Sequence, residues 1–284
     1  MNSIRNITVS AVSAMMLLTG CSSSSAAAST AASAASTSAS ATTFKVGMEC
    51  NYAPFNWTTV TEGDTTQKIS EVDYCDGYDV VIAEKIADAM GADVEIVKTD
   101  WDNLIPALQN GEIDAIIAGM TDTPEREESV SFTTPYYTSQ EVIIVKADSD
   151  LTGVTDIQEL SGKKVLGQLN TLYDDVIDQI EGVIHATPLE SMPATVNSLQ
   201  QGEVDAVVSE LPVAEGIVAA NPDLTYVTFE EGHGFVADSS VSIAIAKGND
   251  ELLDKVQTAL NAITEDQRQS LMADAVTRQP ATNE

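Results

Sequence analysis

The sequence predicts an α/β protein made of two similarly built lobes, on two observations. From Phe44 onward, short apolar runs alternate with amphipathic helical segments, the pattern of strand–helix units in mostly parallel sheets. In addition, NGEIDAIIAGM (110–120) and QGEVDAVVSEL (201–211) share one pattern of polar residue, Gly, Glu, aliphatic, Asp, Ala and two aliphatics. Each follows an amphipathic helix, so each reads as the same step in a repeated unit.

Taken in order, FKVGM (44–48) is a short apolar strand. YDVVIAEKIADAM (78–90) sets Val81, Ile82, Ile86 and Met90 on one helical face, with Gly91 as the stop. DVEIV (93–97) is a strand, and DNLIPALQN (102–110) is a helix in which Pro106 must sit early or introduce a kink. DAIIAG (114–119), EVIIV (141–145), KKVLG (163–167), DAVVS (205–209) and VSIAIA (241–246) are further strands. LYDDVIDQI (172–180), MPATVNSLQ (192–200) and PVAEGIVAA (212–220) are helices, and NDELLDKVQTALNAI (249–263) opens a closing helical segment. In open α/β sheets ligands bind beyond the carboxyl ends of strands. Gly119 and Thr121 follow one such strand, and Ser209 and Glu210 end its counterpart. Two lobes with a site between them imply closure about a hinge.

The start of the chain reads differently. Ile4 to Leu18, with Arg5 near its start, is apolar with small polar interruptions, too short to span a bilayer stably, and it leads into Leu18-Thr19-Gly20-Cys21. Leu, a small residue, Gly and Cys resemble a bacterial lipobox, so residues 1–20 are expected to be a lipoprotein signal peptide with Cys21 lipidated. Residues 21–42 are almost all Ser, Ala and Thr and read as a tether. The expected location is outside the cytoplasm, held to the membrane through lipid only. With Cys21 assigned, Cys50 and Cys75 remain, either as an export-permitted disulfide or as two thiols.

Charge excludes one class of partner. The 284 residues carry 13 Lys plus Arg against 44 Asp plus Glu, a formal charge of −31, with no basic stripe for nucleic acid. The hydrophobic content of 43% is that of a globular chain and not of a disordered polyanion. His185 and His233 are isolated and no His or Cys cluster has metal spacing, so neither a metal nor a cofactor is expected.

Against this background, IIAGMTDTPEREE (116–128) places Arg126 among four carboxylates. Thr123-Pro124-Glu125 reads as a helix start, with Thr at the N-cap and Pro at the first position. Free N–H groups and a guanidinium fork together suit a carboxylate. Pairing of Arg126 with a local glutamate on the helix surface is the alternative.

GMTDTPER resembles the signature of bacterial extracellular solute-binding proteins of the polar amino acid type (family 3), the substrate receptors of ABC importers. NYAPFNW (51–57), CDGYDVVIAEKIADAM (75–90), TDWDNLIPALQNGEIDAIIAGM (99–120), PYYTS (135–139), ELSGKKVLGQLNT (159–171) and GEVDAVVSELPVAEG (202–216) extend the likeness collinearly. The resemblance implies two Rossmann-like lobes joined by a two-strand hinge, the periplasmic-binding-protein-like type II fold. Lobe one would be 44–138 plus 242–284, and lobe two 139–241. The implied function is capture of an L-amino acid by a monomeric lipoprotein and its delivery to a permease and ATPase complex.

The resemblance also implies roles. Arg126 matches the clamp on the α-carboxylate, with Thr121 a second donor and Thr171 closing from lobe two. Gly119 matches a carbonyl that accepts from the α-ammonium. Glu210 stands where the family usually has Asp as the ammonium's counter-ion, and Asn170 and Leu172 replace the usual Gly and Thr around Thr171. Tyr52 and Trp101 match aromatics that sandwich the ligand side chain. Glu49 matches the acid that basic-amino-acid binders turn toward it, favouring arginine or lysine, with histidine and glutamine behind. Phe55, Trp57 and Gln168 are further contacts. The rival class is a dehydratase-like enzyme on the same scaffold, acting on a small carboxylate. No nucleophile–base pair supports it, and no catalytic residue is expected.

Overall fold

The computed structural model describes residues 42–280. The expected signal peptide, Cys21 and all of the tether except Thr42 lie outside the described residues.

Two five-stranded sheets organise the chain. The first runs in the order Ala92–Lys98, Thr42–Met48, Ala115–Ile116, Ala244–Ala246, Val130–Phe132. The second runs Ile184–His185, Lys164–Leu166, Ala206–Glu210, Glu141–Lys146, Leu224–Val227. Each begins with three parallel strands, and the fourth is antiparallel to both its neighbours. The sheets are therefore mixed, whereas helix–strand alternation predicts mostly parallel ones. The fourth strand explains the difference. In the second sheet it follows the chain's first crossing from the other sheet, and in the first sheet it follows the return crossing. A strand that arrives by crossing does not come from a helix packed on its own sheet, so the parallel-crossover rule does not bind it. Between the sheets, Tyr137–Thr138 pairs antiparallel with Ser240–Val241, the two-strand link.

The repeated segments have a common physical meaning. In each, glycine after a helix takes the left-handed conformation, Gly111 at φ 72° and Gly202 at φ 75°. The aspartate three residues on then ties the returning chain to its neighbour. Asp114 accepts from the Lys45 N–H at 2.8 Å, and Asp205 accepts from the Lys164 N–H at 2.7 Å. The reciprocal bonds, from the aspartate N–H to the lysine carbonyl, are 2.8 Å in both. Two copies of one pattern thus set the register of two sheets.

Helix Tyr78–Met90 covers the first sheet with Val80, Ile82, Ala83 and Ile86, all fully buried. The strands Thr42–Met48 and Glu141–Lys146 bury Val46, Met48, Val142 and Ile144 on the layers they separate. Pro106 lies well inside helix Trp101–Gln109 and not at its start. The expected strand 241–246 is broken because the chain changes partner: Ser242 donates to the Met120 carbonyl and Ile243 to the Thr133 hydroxyl. The expected helix 172–180 is one α turn, Leu172–Asp175, followed by a 3₁₀ turn, Val176–Gln179. Cys50 and Cys75 are joined as a disulfide with their Cα atoms 5.7 Å apart. It fastens the turn after the first strand to the small sheet formed by Asn51–Tyr52, Asn56–Thr59, Tyr74–Asp76 and Gln67–Lys68.

Candidate functional site

The carboxyl ends of the parallel strands in the two sheets meet at a cleft. It encloses about 330 Å³, part of it open to solvent. Glu49, Tyr52, Trp101, Gly119, Thr121 and Arg126 line it from the first sheet's side, and Gln168, Thr171, Leu172 and Tyr173 from the second's. Eight of the nine residues expected at a ligand site are therefore together, and Glu210 is set behind them.

Arg126 stands in the helix turn Pro124–Glu127, where the Thr123 hydroxyl accepts from the Arg126 N–H at 3.3 Å. Its guanidinium donates to the Thr121 carbonyl at 2.8 Å and the Asn170 carbonyl at 3.0 Å. The guanidinium also lies 5.3 Å from the Trp101 ring centroid, a cation–π distance. None of the ion pairs among the described residues includes it. None of the four neighbouring carboxylates in the sequence thus forms an ion pair with the guanidinium, and Asp175 and then Glu125 act on it only at longer range. A half-buried cation satisfied only by carbonyls retains capacity for an anion.

Asn170 has φ 58°, a left-handed conformation open to glycine and, among other residues, best tolerated by asparagine. This accounts for the Asn in place of Gly. Its carbonyl also accepts from the Trp101 indole N–H at 3.1 Å, and its Nδ2 donates to Asp102 at 2.7 Å. The Thr171 hydroxyl donates to the Gln168 carbonyl at 2.7 Å, closing the turn on which both residues face the cleft.

The acids occupy two other positions. Glu49 is 6% exposed, and burial, reinforced by Asp100 and Asp102, raises its carboxyl to about 7 against the opposing hydrogen bond from Gln168. That bond is long, 3.5 Å from Gln168 Nε2. Glu210 is 1% exposed at the end of strand Ala206–Glu210. Its Oε1 accepts from the Tyr52 hydroxyl at 2.5 Å and the Tyr173 hydroxyl at 2.7 Å, while Oε2 is buried without a protein partner. Burial raises this carboxyl also to about 7, opposed by the two hydroxyls. Glu210 therefore reaches the cleft through the two tyrosines, not as a bare carboxylate in its wall.

Tyr52 stacks on Phe55 at 5.6 Å between centroids, which makes Phe55 a support for the wall and not part of it. Trp57 is further away, buried beside the guanidinium of Arg278 at 6.0 Å. Ala118 also lines the cleft unexpectedly, and Tyr173 is a polar cleft residue that sequence reasoning missed. It lies two positions after Thr171, at the start of a helical segment, where an aromatic reads equally well as core.

Among the described residues there is no cluster of His, Cys, Asp or Glu able to hold a metal. No described helix is long and apolar enough to cross a membrane. The arrangement offers a cation for an anionic group, buried acids for cationic groups, and aromatic faces between them.

Comparison with known proteins agrees on the scaffold. The family model described as bacterial extracellular solute-binding proteins, family 3, matches residues 44–274. A Campylobacter jejuni protein named "Probable histidine-binding protein" is 33% identical over 195 residues, 68% of this chain and 70% of its own. An L-cystine-binding protein of Escherichia coli strain K12 is 28% identical over 224 residues, 79% of this chain and 78% of its own. A Streptococcus pneumoniae amino acid ABC transporter substrate-binding protein, solved bound to L-arginine, superposes with a TM-score of 0.72 at 29% identity. That match covers 85% of this chain and 96% of the other.

Proposed function

This chain belongs to the bacterial extracellular solute-binding proteins of family 3, and on that premise we propose that it captures an L-amino acid with a basic side chain. As a member of that family it is a substrate-binding transport protein and not an enzyme. In our reading it takes arginine or lysine first, with histidine or glutamine behind, and delivers it to the permease and ATPase of an ABC importer. Lobe one is 44–138 plus 242–284 and lobe two 139–241, and the ligand lies between them. Lipid on Cys21 and the Ser/Ala-rich tether hold a monomer to the outer face of the membrane.

One observation carries this reading: a guanidinium without a carboxylate ion pair and the buried Glu49 carboxyl, itself without a cation, face one small cleft, and a second buried carboxyl, Glu210, backs it through Tyr52 and Tyr173. A zwitterion with a cationic side chain complements this set. Its carboxylate pairs with Arg126, with Thr121 and Thr171 as further donors. Its ammonium meets the Gly119 carbonyl and the Glu210–Tyr52–Tyr173 cluster. Its side chain runs between Tyr52 and Trp101 toward Glu49 and Gln168. Counted over Arg126, Glu49 and Glu210 alone, with both acids ionised, the charge is −1, which a ligand of net charge +1 offsets and a neutral or acidic amino acid does not. The relative named for histidine and the solved neighbour bound to L-arginine fit this, and the cystine-binding relative marks the competing specificity. The test is titration calorimetry of residues 43–284, stripped of co-purified ligand, against the twenty amino acids. Tight binding of basic amino acids is expected. Preference for a neutral or acidic one overturns the specificity, and binding of none overturns the whole reading.

A further inference from the structure

We propose that Tyr136, Asp79 and Asn56, none of which lines the cleft, are positioning residues that hold the Gly119 peptide with its carbonyl available to the ligand's ammonium. This rests on the reading of the cleft as an amino acid site. Gly119 has φ 62°, and a Cβ there would stand 3.2 Å from Tyr52 Cε1. The position therefore favours glycine, and glycine brings no side chain to stiffen its own turn. Its N–H donates to the Tyr136 hydroxyl at 2.9 Å. No described hydrogen bond ends on its carbonyl.

The direction of the network follows from its donors. An amide N–H can only donate, so the Tyr136 hydroxyl accepts from Gly119 and its own proton points away from the cleft. That proton goes to Asp79 Oδ1 at 2.7 Å. Asp79 Oδ2 accepts from Asn56 Nδ2 at 2.8 Å. Asp79, Tyr136 and Asn56 are each 0% exposed. A carboxyl sealed from water beside two neutral donors is a costly arrangement, and apolar residues of similar volume often fill such a space without loss of stability. What the polar set adds is one fixed orientation of the hydroxyl beneath the cleft.

The orientation survives a change of protonation. Burial raises the Asp79 carboxyl to about 7, opposed by Tyr136 and then Asn56. Asn56 Oδ1 is buried without a partner, so a turned amide accepts from a protonated Asp79 Oδ2 while Tyr136 still donates to Oδ1. Tyr136 is itself fixed: its ring stacks on Tyr78 at 5.8 Å, and its carbonyl accepts from the Tyr78 hydroxyl at 2.9 Å. It also directly precedes the link strand Tyr137–Thr138. One side chain thus joins the start of helix Tyr78–Met90, the link between the sheets and the floor of the cleft.

The experiment compares L-arginine with guanidinovalerate, which is arginine without its α-amino group, in calorimetry of the mature chain, the weaker ligand by competition. Tyr136→Phe removes the hydroxyl and keeps the ring. It is expected to weaken arginine about tenfold, the worth of one well-placed hydrogen bond, and to leave guanidinovalerate unchanged. Asp79→Asn keeps an acceptor for the hydroxyl and is expected to retain arginine affinity. Equal losses for both ligands in Tyr136→Phe would mean general damage and overturn the assignment, as would no loss for arginine. Failure of the unmodified protein to bind any amino acid would instead overturn the underlying reading, and the assignment with it.

Discussion

Arg126, beyond the strand Ala115–Ile116 of the first sheet, donates its Nη2 to the carbonyl of Asn170, beyond the strand Lys164–Leu166 of the second, at 3.0 Å. The contact joins the two halves of the cleft through a main-chain atom, and the conformation of Asn170 directs that atom. The same carbonyl takes the Trp101 indole, so one left-handed residue gathers a cation and an aromatic from the opposite side.

If the carbonyl is what matters at position 170, the side chain is dispensable and the backbone conformation is not. Asn170→Gly is expected to keep affinity within about threefold, since it loses only an exposed bond to Asp102. Asn170→Val is expected to cost about 1–2 kcal/mol of stability, because a β-branched residue resists positive φ, and to weaken binding as well. Thermal melts and calorimetry on both variants check this. Equal behaviour of the two would show that φ at this position carries no weight.

Arg126→Ala removes the cation from the cleft and its donors from the Thr121 and Asn170 carbonyls, of which Asn170 keeps the Trp101 indole. Loss of a buried, charge-assisted pair with a ligand carboxylate costs roughly 3 kcal/mol or more, over a hundredfold in Kd. The loss is expected for every amino acid that the protein binds, whatever its side chain, because the contact is to the part all share. Calorimetry across several ligands reads this directly, and a loss confined to one ligand would move Arg126 to the side-chain end of the site.

Much of this was legible in the sequence, for physical reasons. Helix Tyr78–Met90 was readable end to end, because its apolar face and the Gly91 stop are both local signals. The twin Gly-Glu-aliphatic-Asp segments showed two similar units, because each aspartate performs the same backbone task. The antiparallel fourth strands were not legible, since local periodicity carries no record of which sheet a strand joins. The seat of Glu210 behind Tyr52 and Tyr173 was not legible either. It depends on one carboxyl meeting two hydroxyls, one of them 158 residues distant in sequence.

The Cys50–Cys75 bridge sits at the turn that carries Glu49 and Tyr52, with Cys50 itself at φ 52°. Replacing both cysteines by serine frees a loop with a sequence separation of 25. The chain-entropy relation puts the cost at about 3.5 kcal/mol. Chemical denaturation of the oxidised protein and the double variant is expected to show that difference. Because the bridge holds the turn and not the ligand, affinity measured well below the melting temperature is expected to fall far less than stability does. An affinity loss as large as the stability loss would make the bridge part of the site.

The two buried carboxyls make binding dependent on pH in a direction that can be worked out. Glu49 and Glu210 are both raised from an ordinary value of 4.5 to about 7, chiefly by burial. A carboxyl raised in the fold binds more protons than in the unfolded chain between those values, so ligand-free stability falls as pH climbs from about 4.5 to about 7. A cationic ligand favours the ionised forms. Above about pH 7 the carboxyls are already ionised and affinity is flat. Below it each must release its proton to bind, and affinity falls by up to tenfold per pH unit per carboxyl. Arginine titrated from about pH 8 down to about pH 5.5 is expected to show that fall, with protons released on binding that register as a buffer-dependent heat. Glu49→Gln is expected to lower arginine affinity at neutral pH and to remove one of the two proton couplings, while binding of glutamine changes little. If the slope for arginine is the same with and without the Glu49 carboxylate, Glu49 does not meet the ligand's side chain, and the preference for basic amino acids loses its physical basis.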